Sequence, residues 1–299
     1  YIDAALEGGA AGCFTQREGD SYLPGKFYIK VASTQQALRD LAVHYRKKFP
    51  IPVVALTGSV GKTTTKDMVA AVLSEKYSVL KTEGNLNNEI GVPMTLLRLG
   101  REHQLAVLEL GMNHAGEIDY LSGMVEPDVI LMTNIGDSHI EHFGSREKIL
   151  EAKSEIFNHA SPGAFVVLNG DDPLLRSRAE TLPYEKVLVG AGEGLDYRAV
   201  ELESGGRSHL RCTLCTPGGR FPVDIPAPGE HMIYPALMSA AVGEHFGLTQ
   251  EQIAGGILRF APTKMRMNIV RCKGDIVILN DAYNANPQSM RAAAAVLGD

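Results

Sequence analysis

A doubly wound, mostly parallel α/β core flanked by parts of two smaller α/β domains is the fold this sequence predicts, and three observations predict it. Four short apolar runs recur: Val53-Val54-Ala55-Leu56, Leu105-Ala106-Val107-Leu108, Val129-Ile130-Leu131-Met132 and Phe165-Val166-Val167-Leu168. Strands read this way when helices cover both faces of a parallel sheet. Stretches with helical spacing fall between the runs, notably Thr63 to Glu75, where Met68 and Val72 stand one turn apart, and Arg146 to Phe157. At 299 residues and 44% hydrophobic composition, the chain can bury such a core and has length for more than one domain.

Residues 1 to 49 read as a small α/β fragment: an opening helix from Tyr1, a strand near Ala10 to Phe14, another near Phe27 to Val31, and a helix from Thr34 to Lys47. Residues 50 to 261 carry the core. Within them, from Tyr197 to Ile225, three alternating strands separated by Ser204-Gly205-Gly206 and Pro217-Gly218-Gly219 indicate an antiparallel insertion or edge. Two helices follow, near His231 to Phe246 and Gln250 to Phe260, and after Ala261-Pro262 a strand pair and a helix open a further domain over residues 262 to 299. The first residue is not Met and is already helical in pattern, and Ala295-Val296-Leu297-Gly298-Asp299 ends without a closing strand. The chain therefore reads as starting and stopping inside domains.

The formal charge of -6 is spread along the chain with no basic block, which argues against a nucleic-acid or membrane surface. No apolar run approaches the roughly 18 to 20 residues a bilayer requires, and the opening lacks a signal-peptide layout. A cytoplasmic monomer acting on small molecules is expected. Of the four cysteines, only Cys212 and Cys215 lie close together. No second pair or His pair at ligand spacing accompanies them, so structural thiols are expected in place of a zinc site.

Chemistry concentrates after the first core strand, at Thr57-Gly58-Ser59-Val60-Gly61-Lys62-Thr63-Thr64-Thr65. A glycine-rich turn between a buried strand and a helix aims backbone N–H groups and the positive helix end at an anion. Lys62 suits the β- and γ-phosphates of a nucleoside triphosphate, and the Thr63 hydroxyl suits Mg²⁺. The general pattern G-x-x-x-x-G-K-[ST] is met except at its first position, which is Leu56.

Ligands of an open α/β sheet bind beyond the carboxyl ends of the strands. Glu109 ends one apolar run, Thr133 and Asn134 end another, and Asp137 and His139 follow shortly. Glu109 is a hard oxygen ligand of the kind Mg²⁺ takes, or else a helix cap; His139 is a nitrogen ligand or orienter, or else part of a polar loop. By spacing alone Lys153 is one more charge on a helix surface. Asn85, Asn87 and Asn88 form a turn-rich loop whose amides can hydrogen-bond a polar substrate.

Together these stretches resemble the Mur ligase family, and within it the branch that joins D-alanyl-D-alanine to UDP-N-acetylmuramoyl-tripeptide. The phosphate loop, Gly84-Asn85-Leu86-Asn87-Asn88-Glu89-Ile90-Gly91-Val92-Pro93, Glu109-Leu110-Gly111-Met112-Asn113-His114 and Asp281-Ala282-Tyr283-Asn284-Ala285-Asn286-Pro287 carry the likeness. It implies that residues 1 to 49 are the latter part of a UDP-substrate-binding domain, 50 to 261 the central ATP-binding domain and 262 to 299 the start of a C-terminal ligase domain. It implies ATP held by Thr57, Gly58, Ser59, Val60, Gly61, Lys62, Thr63 and Thr64, with Arg266 and Asp281 reaching phosphates and ribose. It further implies two Mg²⁺ ions, one on Thr63 and Glu109, the other on His139 and a carbamylated Lys153. The activity implied is peptide-bond formation through an acyl phosphate, with little turnover expected of a chain lacking most of the third domain. One stretch departs. Where the family has His-Asn-x-x-Asn, this chain has His231-Met232-Ile233-Tyr234-Pro235, without the amides that meet adenine. Two alternatives stand beside this reading: another amide ligase of the family such as a folylpolyglutamate synthase, and a nucleotide-binding module or switch without ligase turnover.

Overall fold

The computed structural model of the chain describes residues 2–18, 22–206, 208–274 and 276–298, so Tyr1 and Asp299, the outer ends of the expected opening helix and closing segment, lie outside the described residues. The amino-terminal fragment folds as helix α1 (Ile2–Glu7), strands β1 (Gly12–Thr15) and β2 (Phe27–Lys30), and helix α2 (Thr34–Arg46). The two strands pair in parallel. Helix α2 starts where the Ser33 hydroxyl accepts the Gln36 N–H, satisfying one of the unpaired donors of the first turn.

The core strands follow the apolar runs. Strands β3 (Val53–Thr57), β4 (Val79–Lys81), β5 (Leu105–Glu109), β6 (Val129–Met132), β7 (Phe165–Asn169), β8 (Glu185–Gly190), β9 (Tyr197–Ser204), β10 (Leu210–Thr216) and β11 (Gly219–Ile225) make one sheet in the order β11-β10-β9-β8-β7-β6-β3-β5-β4. Pairings from β4 across to β9 are parallel, and those of β9 with β10 and β10 with β11 are antiparallel. Helices α3 (Lys62–Leu73), α4 (Gly91–Leu96), α5 (Glu117–Val125), α6 (Ile140–Phe143), α7 (Arg146–Ser154) and α8 (Pro173–Thr181) fall between the strands, and α9 (Ile233–His245) and α10 (Gln250–Leu258) follow them. Val54 and Leu56 pack with Met68, Val72 and Leu237 on one face; Val53 and Ala55 pack with Ile118 and Leu121 on the other. Burial on both faces is why these strands read as continuous apolar runs.

The antiparallel stretch is an extension of this same sheet. Leu210, Cys212 and Leu214, with Phe221, Val223 and Ile225, turn into the core while residues between them are more exposed. All four cysteines are free thiols, and burial pushes the Cys212 thiol up to about 11, so it stays protonated. The helix expected from Arg146 to Phe157 tightens into a 3₁₀ turn at Glu155–Phe157, and the one expected from His231 begins with a 3₁₀ turn at Glu230–Met232. Beyond Phe260, β12 (Asn268–Arg271) and β13 (Val277–Asn280) pair antiparallel ahead of α11 (Pro287–Gly298). No helix is long and apolar enough to cross a membrane among the described residues.

Strand β3 lies between β5 and β6. The chain runs from β3 to the β4 edge, returns through β5, then crosses to β6 on the far side. That reversal opens a crevice at the carboxyl ends of these strands, where ligands of open α/β sheets bind.

Candidate active site

The phosphate loop occupies the crevice, and its shape depends on two glycines. Gly58 has φ +148°, and a Cβ there would come within 1.9 Å of the Thr133 Oγ1. Gly61, at φ +80°, is the N-cap of α3. A side chain is excluded by space at the first and disfavoured by backbone conformation at the second. The end of β6 braces the loop from the other side. The Asn134 amide accepts the Val60 N–H at 3.0 Å and donates to the Val60 carbonyl at 2.9 Å; Thr133 Oγ1 donates to that carbonyl at 2.7 Å, and the Ser59 N–H donates to the Asn134 carbonyl at 3.0 Å. Thr133 and Asn134 thus act on the loop's geometry.

Lys62 begins α3, and its ammonium donates to the Gly58 carbonyl at 2.9 Å. Burial lowers its pKa; Glu109 opposes the shift and Arg266 adds to it. Glu109, 1% exposed, pairs in register with Leu56 across β3 and β5. Its backbone N–H donates to Thr82 Oγ1, and its Oε1 accepts from the Asn87 amide at 2.8 Å. Its Oε2 is buried with no hydrogen-bond partner among the described residues, as is the Thr57 Oγ1 on the adjoining strand. A buried carboxylate oxygen without a donor is costly, and one held rigid at a strand end suits a divalent cation.

Of the three asparagines expected to meet substrate, Asn87 is engaged with Glu109, and Asn88 accepts the Gly91 N–H at 2.9 Å and so caps the start of α4. The Asn85 amide has no such engagement among the described residues. All three line a cavity of about 360 Å³ with Ser59 to Thr64, Glu109 and His139, within the size range of small-molecule sites.

His139 stands in the left-handed region at φ +66°, ahead of the short α6, a conformation histidine tolerates better than most residues. Burial lowers its pKa, and Lys153 and Lys62 lower it further, so its ring is neutral near pH 7 and able to ligate a metal. Lys153 is 2% exposed. No carboxylate or hydrogen-bond acceptor meets its ammonium among the described residues; burial, then the charge of Lys62, holds its pKa well below the ordinary 10.5. The surface reading of Lys153 is corrected. Ile149, Ala152, Lys153 and Ile156 are all buried, at helical spacing, so the lysine stands on the core-facing stripe of its helix. That periodicity was the available signal.

Arg266 and Asp281 reach the same cavity from the segment beyond Phe260. The Arg266 guanidinium lies 4.2 Å from the Tyr283 ring centroid, and Asp281 Oδ1 accepts the Met267 N–H at 3.0 Å. Burial raises the Asp281 pKa, while that N–H and Arg266 oppose the shift. Sequence reasoning missed Lys66, 2% exposed in α3, which donates to the Thr82 carbonyl at 2.7 Å and lies 3.2 Å from Asp67. It braces the residue whose hydroxyl accepts the Glu109 N–H.

Residues 56–243 match the family model of the Mur ligase middle domain. The UDP-N-acetylmuramoyl-tripeptide--D-alanyl-D-alanine ligase of Bacillus subtilis (strain 168) is 38% identical over 295 residues, which cover 98% of this chain but 63% of that protein. The crystal structure of MurF from Acinetobacter baumannii superposes with a TM-score of 0.91 at 39% identity, over 99% of this chain and 64% of that one. MurF ligase from Thermotoga maritima in complex with ADP gives a TM-score of 0.86 at 29% identity, over 99% of this chain and 67% of that one. This chain therefore spans somewhat less than two thirds of the Bacillus relative, and with more than half its length matched by the middle-domain model it belongs to the Mur ligase family.

Proposed function

We propose that this chain is the ATP-binding body of a ligase that joins D-alanyl-D-alanine to UDP-N-acetylmuramoyl-tripeptide through an acyl phosphate. The observation that carries the reading is the buried Lys153 side chain with no counter-charge among the described residues, close enough to Lys62 and His139, both of which line the phosphate loop's cavity with Glu109, for their charges to act on one another. A simple nucleotide switch has no need of it. Residues 1–49 then belong to the UDP-substrate domain, 50–261 to the ATP-binding domain and 262–299 to the start of the ligase domain.

The residues present fit two Mg²⁺ ions. Glu109 Oε2, buried and unpartnered, and the Thr63 hydroxyl would hold one; neutral His139 and a carbamylated Lys153 would hold the other. When bound, the ions supply positive charge against the transferring phosphoryl group. Burial favours the neutral form of the Lys153 amine, whose lone pair can attack carbon dioxide; the nitrogen loses a proton and the side chain becomes an anionic oxygen ligand. Lys62 and the loop N–H groups hold the triphosphate, with Arg266 and Asp281 at its outer side. The tripeptide carboxylate attacks the γ-phosphorus and ADP leaves. The dipeptide amine then attacks the acyl carbon, phosphate departs, and the nitrogen gives up its proton as the peptide bond forms.

Relatives that share more than a third of this sequence carry the dipeptide-adding name, which favours this reading over a folylpolyglutamate synthase. The test is ADP release by a protein of the relatives' full length carrying this sequence. Release that requires both the UDP-tripeptide and D-alanyl-D-alanine is expected, and ATP binding without amine-dependent turnover would overturn the proposal. Lys153→Ala should abolish turnover, and bicarbonate should restore a wild-type protein stripped of its carbamate.

A further inference from the structure

A second cavity, of about 320 Å³, opens behind the phosphate loop and shares Val60, Gly61, Thr64, His231 and Met232 with the first. A triphosphate lying along the loop would place its base there. Apolar surface from Met232, Pro235, Pro173 and Ala292 lines it. Most of the polar side chains on its wall are already engaged.

Both ends of the Asn134 amide are taken by Val60. Asn169 donates to the Thr133 carbonyl at 3.0 Å and accepts the Asp171 N–H at 3.0 Å. Asp171 accepts the N–H groups of Ala191 and Gly192 and the Tyr234 hydroxyl. Asp172 accepts from Ile135, Leu174 and Leu175. Ser289 is turned back onto Asn286. Arg146 donates to the Ile135 carbonyl.

Four polar side chains on this wall carry no hydrogen bond among the described residues: the hydroxyls of Thr64 and Thr65 on the loop's helix, the imidazole of His231 and the exposed amide of Gln288. Each can present either a donor or an acceptor, the imidazole by changing tautomer and the hydroxyls and amide by rotating. Adenine and guanine differ in just this respect: where one offers an amino donor beside a ring acceptor, the other offers a carbonyl acceptor beside a ring N–H donor.

We infer that this site holds its nucleotide by the phosphates and by apolar contact with a purine ring, and that it accepts guanosine and inosine triphosphates nearly as well as ATP. The inference rests on the nucleotide reading above. Burial keeps His231 neutral, which preserves its two-way character. Sites built from fixed hydrogen-bonding groups reject the wrong partner by about 10⁴-fold or more, whereas pockets that select by shape alone manage roughly 100-fold.

The experiment is displacement of a fluorescent ATP analogue from this chain in Mg²⁺ by ATP, GTP, ITP and CTP. The three purine nucleotides should compete within about tenfold of one another, with CTP weaker because its ring fills less of the pocket. ATP binding with GTP and ITP each weaker by about 100-fold or more would overturn the inference and leave the nucleotide reading standing; no displacement by any of them would sink that reading itself. His231→Phe should weaken ATP and GTP alike, leaving their ratio unchanged. A loss confined to ATP would show that the imidazole reads adenine, which also overturns the inference.

Discussion

Replacing Lys153 with methionine separates the charge of that side chain from its bulk. The ammonium sits at 2% exposure, without hydrogen bond or ion pair among the described residues, and the charge that acts on it is that of another cation, Lys62. Holding a bare ion in such a place costs several kcal/mol even after the surroundings relax. The protein reduces the cost by giving up the proton, and each unit by which the amine falls below 10.5 takes about 1.4 kcal/mol from the folded state at low pH. In buffer free of metal and carbon dioxide, the unfolded chain binds more protons than the folded chain between the lowered pKa and 10.5. Wild-type stability therefore carries the full penalty below the folded pKa and recovers it as pH rises through that window. Lys153→Met nearly conserves volume, a change that costs under about 1.5 kcal/mol in a core, and has nothing to titrate. Denaturant unfolding at a series of pH values should show the variant gaining on wild type at neutral pH, with the difference closing toward pH 10.5. Carbon-13 bicarbonate should then give a carbamate resonance in wild type that the variant lacks. Parallel stability curves together with no labelled carbamate would refute the argument, because they would mean a charged Lys153 finds its counter-ion in solution.

Asn87→Ala frees Glu109 Oε1 from the one amide that holds it; Mn²⁺ titration in the presence of ATP should show affinity lower by about 10- to 100-fold, and an unchanged value would mean that the backbone alone sets the carboxylate. Gly58→Ala drives a Cβ into Thr133 at φ +148°; a loss of roughly 1 to 3 kcal/mol in unfolding free energy, with nucleotide binding lost, is expected, and wild-type behaviour in both would show that the loop can move aside. Thr263→Val removes the hydroxyl that donates to Asp67 Oδ2 where the chain leaves the core toward Arg266. Thermal unfolding should report about 1 to 3 kcal/mol lost, whereas an unshifted midpoint would mean that Lys66 and Lys81 suffice to satisfy Asp67.

Strand β3, the loop and α3 are legible because each rests on local rules: apolar runs for two covered faces, glycines where φ is positive, a lysine opening the helix. Glu109 was legible because strand polarity sends the end of every parallel strand to the same rim. The amides were not. Asn87, Asn88 and Asn134 are alike in sequence, and their duties follow from what lies opposite: a carboxylate on another strand, the amino end of a helix, the carbonyl and N–H of Val60. The partners of Asn87 and Asn134 sit tens of residues away, where turn chemistry says nothing, whereas Asn88 meets the Gly91 N–H only three residues on. The lysines lie between these extremes. Lys66 shares a helix face with buried Val69, Ala70 and Leu73, and Lys153 shares one with buried Ile149, Ala152 and Ile156, so periodicity alone marks both as cations on apolar stripes. Lys66 is met by Asp67 and the Thr82 carbonyl, while Lys153 meets another cation. A brace and a reactive amine therefore carry the same sequence signature, and counter-charge, a property of packing, is what divides them.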